Sequence, residues 1–70
     1  MNIYIYPIYD KTTDSNSIES IKARSLKEAF EKLSNEYELD EICENQLEFE
    51  KAMDAYDFTV GSLTDIEEIT

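Results

Sequence analysis

The sequence predicts an α+β fold, a small antiparallel sheet with two helices packed on one face, in the order β-β-α-α-β. Three observations predict it. Isoleucine and tyrosine crowd the first nine residues, and a partly alternating run follows them. Two stretches with helical apolar spacing come next, each opened by a capping signature. A short run of β-branched and aromatic residues then ends at the only glycine. Strands before helices, with a strand returning afterwards, place the helices on one side of an antiparallel sheet.

The first strand is NIYIYPIY, residues 2–9, whose composition suits a pleated, half-buried surface. Ile3 and Ile5 fall on one face, Tyr4 and Tyr6 on the other. Pro7 has no amide to give to a ladder, which places it at an edge or a bulge. DKTTDSNS, residues 10–17, is turn chemistry. IESIKAR, residues 18–24, reads as the second strand, with Ile21 and Ala23 inward. Ser25 and Glu28 form an S-x-x-E capping box. Leu26, Ala29, Phe30, Leu33 and Tyr37 then recur at helical spacing, which predicts a helix from Leu26 to about Glu36.

The next segment also has a helical period. At 100° per residue, Gln46, Phe49, Met53 and Tyr56 fall within about 40° of Ile42, while Leu47 falls outside the stripe. Asn45 and Glu48 offer a second capping box, so residues 39–56 read either as one long helix or as a short turn followed by a helix from Gln46 to Tyr56. FTVGS, residues 58–62, has a strand's composition, and Gly61 suits a bulge or turn. LTDIEEIT, residues 63–70, reads either as a last helical turn capped by Thr64 with Glu67 or as a continuation of the strand.

Seventy residues make one domain, residues 1–70, with room for only a modest core. A chain of this size buries about 60% of the surface its unfolded form exposes, and five tyrosines and three phenylalanines help to fill that core. The lone Cys43 cannot form an internal disulfide, which fits a reducing cytoplasm. The N-terminus has no basic region of the kind that opens a signal peptide, and nothing approaches the roughly 20 apolar residues of a membrane span. The expected location is therefore the cytoplasm.

Catalytic chemistry finds little support. The chain has no histidine, the commonest general base and metal ligand. Glu41 and Glu44 beside Cys43 disfavour a thiolate, and the cysteine reads as a small residue on the flank of the helix core. One glycine cannot build a phosphate-binding loop, and the calcium-loop spacing is absent. The expectation is no enzyme, no catalytic residues, no metal and no cofactor.

Charge is the dominant property. Six basic residues against seventeen acidic ones give a net charge of −11. Such a chain is repelled by phosphate backbones and anionic headgroups, which disfavours direct contact with nucleic acid or membrane and favours a basic protein surface. Five of the six basic residues lie between Lys11 and Lys32. Beyond them Glu36, Glu38, Asp40, Glu41, Glu44, Glu48, Glu50, Asp54 and Asp57 have only Lys51 for company. On one continuous helix Asp40, Glu44 and Glu48 would form a row, each like-charge pair costing about 0.2–0.5 kcal/mol. These nine residues are the candidate partner-binding set. A merely solvated face is the competing reading.

In size, charge and layout the chain resembles the small acidic inhibitors carried by phages and mobile elements, of the anti-CRISPR or DNA-mimic type. That resemblance implies an inhibitor that presents acid to a basic, nucleic-acid-binding protein in a bacterial cytoplasm. Two alternatives stand beside it: an antitoxin or immunity protein that neutralises one basic toxin, and an acidic accessory domain. If Tyr4 and Tyr6 point away from the helices, they also offer an aromatic edge through which two copies could pair.

Overall fold

The computed structural model describes residues 1–66. Strands β1 (Asn2–Asp10) and β2 (Ser15–Ala23) form a hairpin. Helices α1 (Leu26–Glu36) and α2 (Gln46–Ala55) follow, and β3 (Phe58–Val60) and β4 (Thr64–Ile66) complete an antiparallel sheet. The fold is α+β as expected, with the last strand broken in two. The four-residue turn of residues 11–14 is shorter than the predicted loop, because both strands of the hairpin extend further than expected. Asp14 takes a left-handed φ of 54° there, which an aspartate tolerates.

β1 is the central strand, with β2 along one side and β3 and β4 sharing the other. Pro7 therefore lies at no edge, and the bulge explains it. Ile8 pairs with Val60 and Ile5 with Thr64, so Tyr6 and Pro7 face Gly61, Ser62 and Leu63. That extra residue is the bulge. The Gly61 amide donates to the Pro7 carbonyl at 2.9 Å, but Pro7 has no N–H to return the bond. The Gln46 side chain supplies it instead. Its Nε2 donates to the Gly61 carbonyl at 2.9 Å, and its Oε1 accepts the Leu63 amide at 3.1 Å. A Cβ on Gly61 would come within 2.9 Å of Pro7 Cδ and closer still to Cγ, so only glycine fits against the ring.

Alternation along β1 sends Tyr4, Tyr6 and Ile8 to the helix side. Tyr4 is 5% and Tyr6 3% exposed, which corrects the expectation of an aromatic edge: both rings are core, on a strand paired along both sides. The route to a homodimer through Tyr4 and Tyr6 is closed. Phe49 centres the main cluster. It meets Tyr6 edge-on at 6.1 Å and tilts against Phe30 at 5.7 Å and Tyr37 at 6.4 Å. Burying one such side chain stabilises by about 1.5–3 kcal/mol. A smaller cluster of Tyr4, Ala23 and Ala29 fills the other end.

Both helices begin as their caps dictate. Ser25 Oγ accepts the Glu28 amide at 3.2 Å while Glu28 Oε1 reaches back to the Arg24 amide at 3.3 Å. Asn45 Oδ1 and Glu48 repeat the arrangement, with the Glu48 and Glu44 amides each bonded at 2.9 Å. Residues 39–56 are therefore a turn and a helix, not one long helix. Capping stops the period at Asn45, upstream of which Ile42 is 50% exposed. Leu26, on the first turn of α1, is also exposed, and Leu47 is 62% exposed, as its place off the stripe implied.

Helix α1 ends in a Schellman motif. The Glu38 amide bonds the Asn35 carbonyl at 3.2 Å and the Leu39 amide bonds the Ser34 carbonyl at 2.9 Å. Glu38 holds the left-handed position at φ 54°. Buried Ser34 then anchors the connection between the helices. Its Oγ donates to the Phe30 carbonyl and accepts the Cys43 amide, both at 2.8 Å. Cys43 is 3% exposed and packs in the core as expected, though from this connection and not from a helix. The segment read as a helical turn or a strand is strand β4 through Ile66; Glu67, the cap partner the helical version needed, lies outside the described residues.

Candidate acidic binding surface

All nine candidate residues are exposed. They do not form one row, because the helix that would align Asp40, Glu44 and Glu48 starts only at Gln46. The structure instead divides them into three groups.

The first group is Asp40, Glu41, Glu44 and Glu48. The first three lie on the connection between the helices, whose path is set by the Schellman motif, the Ser34 anchor and burial of Leu39 and Cys43. Glu48 joins them because its carboxylate holds the Glu44 amide. Between this connection and α2 lie two adjoining hollows. One, of about 320 Å³, is lined by Glu41, Ile42, Cys43, Glu48, Lys51 and Ala52. The other, of about 240 Å³, is lined by Asp40, Glu41, Ala52, Ala55 and Tyr56. Glu41 and Ala52 border both. Small side chains at Ala52 and Ala55 leave the helix surface low, while Ile42 and Tyr56 stand beside it 50% and 45% exposed.

Glu50, Asp54 and Asp57 form the second group. At 100° per residue, Glu50 and Asp54 lie about 160° and 120° around the helix from Glu48. A cation from elsewhere reaches this side: Lys11, in the β1–β2 turn, pairs with the Asp54 carboxylate. Its amide also donates to the Asp57 carbonyl at 2.9 Å. The bond to Asp54, with the charges of Asp54 and Asp57, holds the Lys11 ammonium above its ordinary pKa. The expectation that only Lys51 answers these acids is corrected here. Sequence distance hid the partner, because Lys11 and Asp54 are 43 residues apart.

Glu36 and Glu38 close α1 and make the third group. Glu36, with Glu19 from β2, lies near the hydrogen-bonded hydroxyls of Tyr6 and Tyr37, 2.7 Å apart. Burial raises the pKa of both phenols, and the two carboxylates add to the rise. Glu19 was not among the candidates because it lies on a strand. Its alternation with Ile21 was the signal that it faces the helix side. Beside it, a hollow of about 250 Å³ is lined by Ile8, Asp10, Ser15, Ser17, Glu19, Tyr37 and Phe58.

No group of three acidic or cysteine side chains is placed to hold a metal among the described residues, and no helix among them is long and apolar enough to cross a membrane. What the first group can do is accept. Carboxylates around a shallow hollow with apolar walls suit lysine or arginine side chains, whose stems pack while their heads pair. Fold and surface together describe an α+β chain with acidic side chains around two shallow hollows. No protein family, curated protein or solved structure matches it.

Proposed function

We propose that this chain is a non-enzymatic inhibitor that meets the basic surface of a nucleic-acid-binding protein, in the cytoplasm of a bacterial host. The observation that carries the proposal is the placing of Asp40, Glu41 and Glu48, with Lys51 the one cation among them, around two hollows that also expose Ile42 and Tyr56, while the Glu48 carboxylate holds Glu44 alongside. Acid steers a basic partner and fixes its register, while the exposed aromatic and aliphatic groups supply contact area. Glu50, Asp54 and Asp57 face elsewhere and contribute only to the long-range field.

Immobilised protein should capture basic proteins from nuclease-treated bacterial lysate, and duplex DNA should release them. Asp40→Lys combined with Glu41→Lys lowers capture by about tenfold or more, while Glu50→Lys on the far side of α2 leaves it near the wild-type level. Equal capture by the two variants overturns this assignment. Ile42 and Tyr56 also favour the second reading, an immunity-type protein with one shape-matched partner. That reading expects a single captured protein that DNA does not displace.

A further inference from the structure

We propose that two copies of this chain pair through β2, edge to edge and antiparallel, about a two-fold axis at Ile18. The edge itself is long, and its only charged residues are Glu19 and Lys22. β2 is nine residues long, without proline, and Ser15–Ser20 are all exposed. Proteins commonly blunt such an edge with short strands, bulges or charge. The opposite edge has two of these devices, three-residue strands and a bulge.

The ladder fixes which groups β2 offers. The Pro7 carbonyl points toward Gly61, so odd-numbered residues of β1 bond β3 and β4, and even-numbered ones bond β2. Tyr6 and Ile8 therefore exchange bonds with Glu19 and Ser17. It follows that the amides and carbonyls of Asn16, Ile18 and Ser20 point away from the sheet. The next outward carbonyl, at Lys22, accepts Lys32 Nζ at 2.8 Å.

A two-fold axis at Ile18 uses these groups and no others. Ile18 pairs with Ile18 of the second copy, and Asn16 with Ser20 of the second copy. The Lys22 carbonyl stays with Lys32. Ile18, 67% exposed, then packs on its own counterpart. Within the strand, Glu19 comes opposite Ser17, not another carboxylate. For a molecule of net charge −11, this edge is a place where like copies meet without opposing acid directly. The pairing also extends each sheet into one continuous sheet.

Sedimentation equilibrium over a wide range of protein concentration tests the proposal. Wild-type protein is expected to rise from monomer toward twice the monomer mass. Ile18→Pro removes an outward amide without touching the β1 ladder, so the variant keeps its far-ultraviolet circular dichroism and stays monomeric. Single cysteines provide a check that does not depend on that variant folding. Ile18→Cys places two thiols across the axis with Cα atoms about 5.5 Å apart, within disulfide reach, whereas Asn16→Cys places them several residues apart. Mild oxidation should therefore cross-link Ile18→Cys several-fold more than Asn16→Cys; native Cys43 is buried. A wild-type chain that stays monomeric throughout, or equal cross-linking at the two positions, overturns the proposal. So does a chain that pairs only with a foreign strand.

Discussion

Glu38 shows how a single residue can be out of keeping with its backbone. It holds the left-handed position that ends α1, where glycine is the usual occupant and other residues bear about 1–2 kcal/mol of strain. Glu38→Gly removes that strain but adds freedom to the unfolded chain, worth up to about 1 kcal/mol. The net expectation is a gain of about 0.5–1 kcal/mol, read as a higher urea midpoint with an unchanged slope. A lower midpoint would mean that the carboxylate holds something the strain argument omits. The same residue explains one limit of sequence reading. The only glycine lies at the bulge, so neither α1 nor α2 carries the usual mark of a helix end; Glu38 and Asp57 take the left-handed positions instead.

Strand and helix are coupled through the bulge. Gln46 occupies the place of the amide that Pro7 lacks, so the start of α2 and the β3–β4 break stabilise each other. Gln46→Leu leaves the Gly61 carbonyl and the Leu63 amide without this partner and should cost about 1–3 kcal/mol in chemical denaturation. Adding Pro7→Val restores an amide opposite Gly61. The double variant should then lose less than the sum of the two single losses, and strict additivity would contradict the coupling. Much at this scale was legible. The capping box at Ser25 located the first helix start, that at Asn45 marked one of two readings of the second, and composition found β1, β2 and β3 but left β4 open between a strand and a helical turn. Gln46 was visible only as a polar residue on an apolar stripe, because its partner Gly61 lies 15 residues away. The acidic row failed for a related reason: helical period continued on paper past Asn45, where the cap ends it in space.

At the scale of the whole molecule, charge works against the fold. Seventeen acidic side chains against six basic ones leave a small body with a net charge of −11, and the like charges repel one another. Added sodium chloride shortens the range of this repulsion to about 8 Å at physiological strength and less above it. The thermal midpoint is therefore expected to rise as salt is added at neutral pH. A midpoint that falls would assign more weight to the pairs Lys11–Asp54 and Lys32–Glu28, which salt weakens. Net charge was the most legible property of the sequence. Its division into three groups was not, since that depends on the turn of α2 and on Lys11 crossing from the hairpin.

The middle position of β1 also sets an order of events during synthesis. The first strand leaves the ribosome early and finds β2 at once, but its other side must wait for residues 58–66, after both helices have been made. Until then the nascent chain carries isoleucine and tyrosine beside an open row of amides and carbonyls, a template for misassembly with neighbouring chains. Ribosomes that stall before residue 58 would leave products prone to clumping, because only residues 58–66 close that open row.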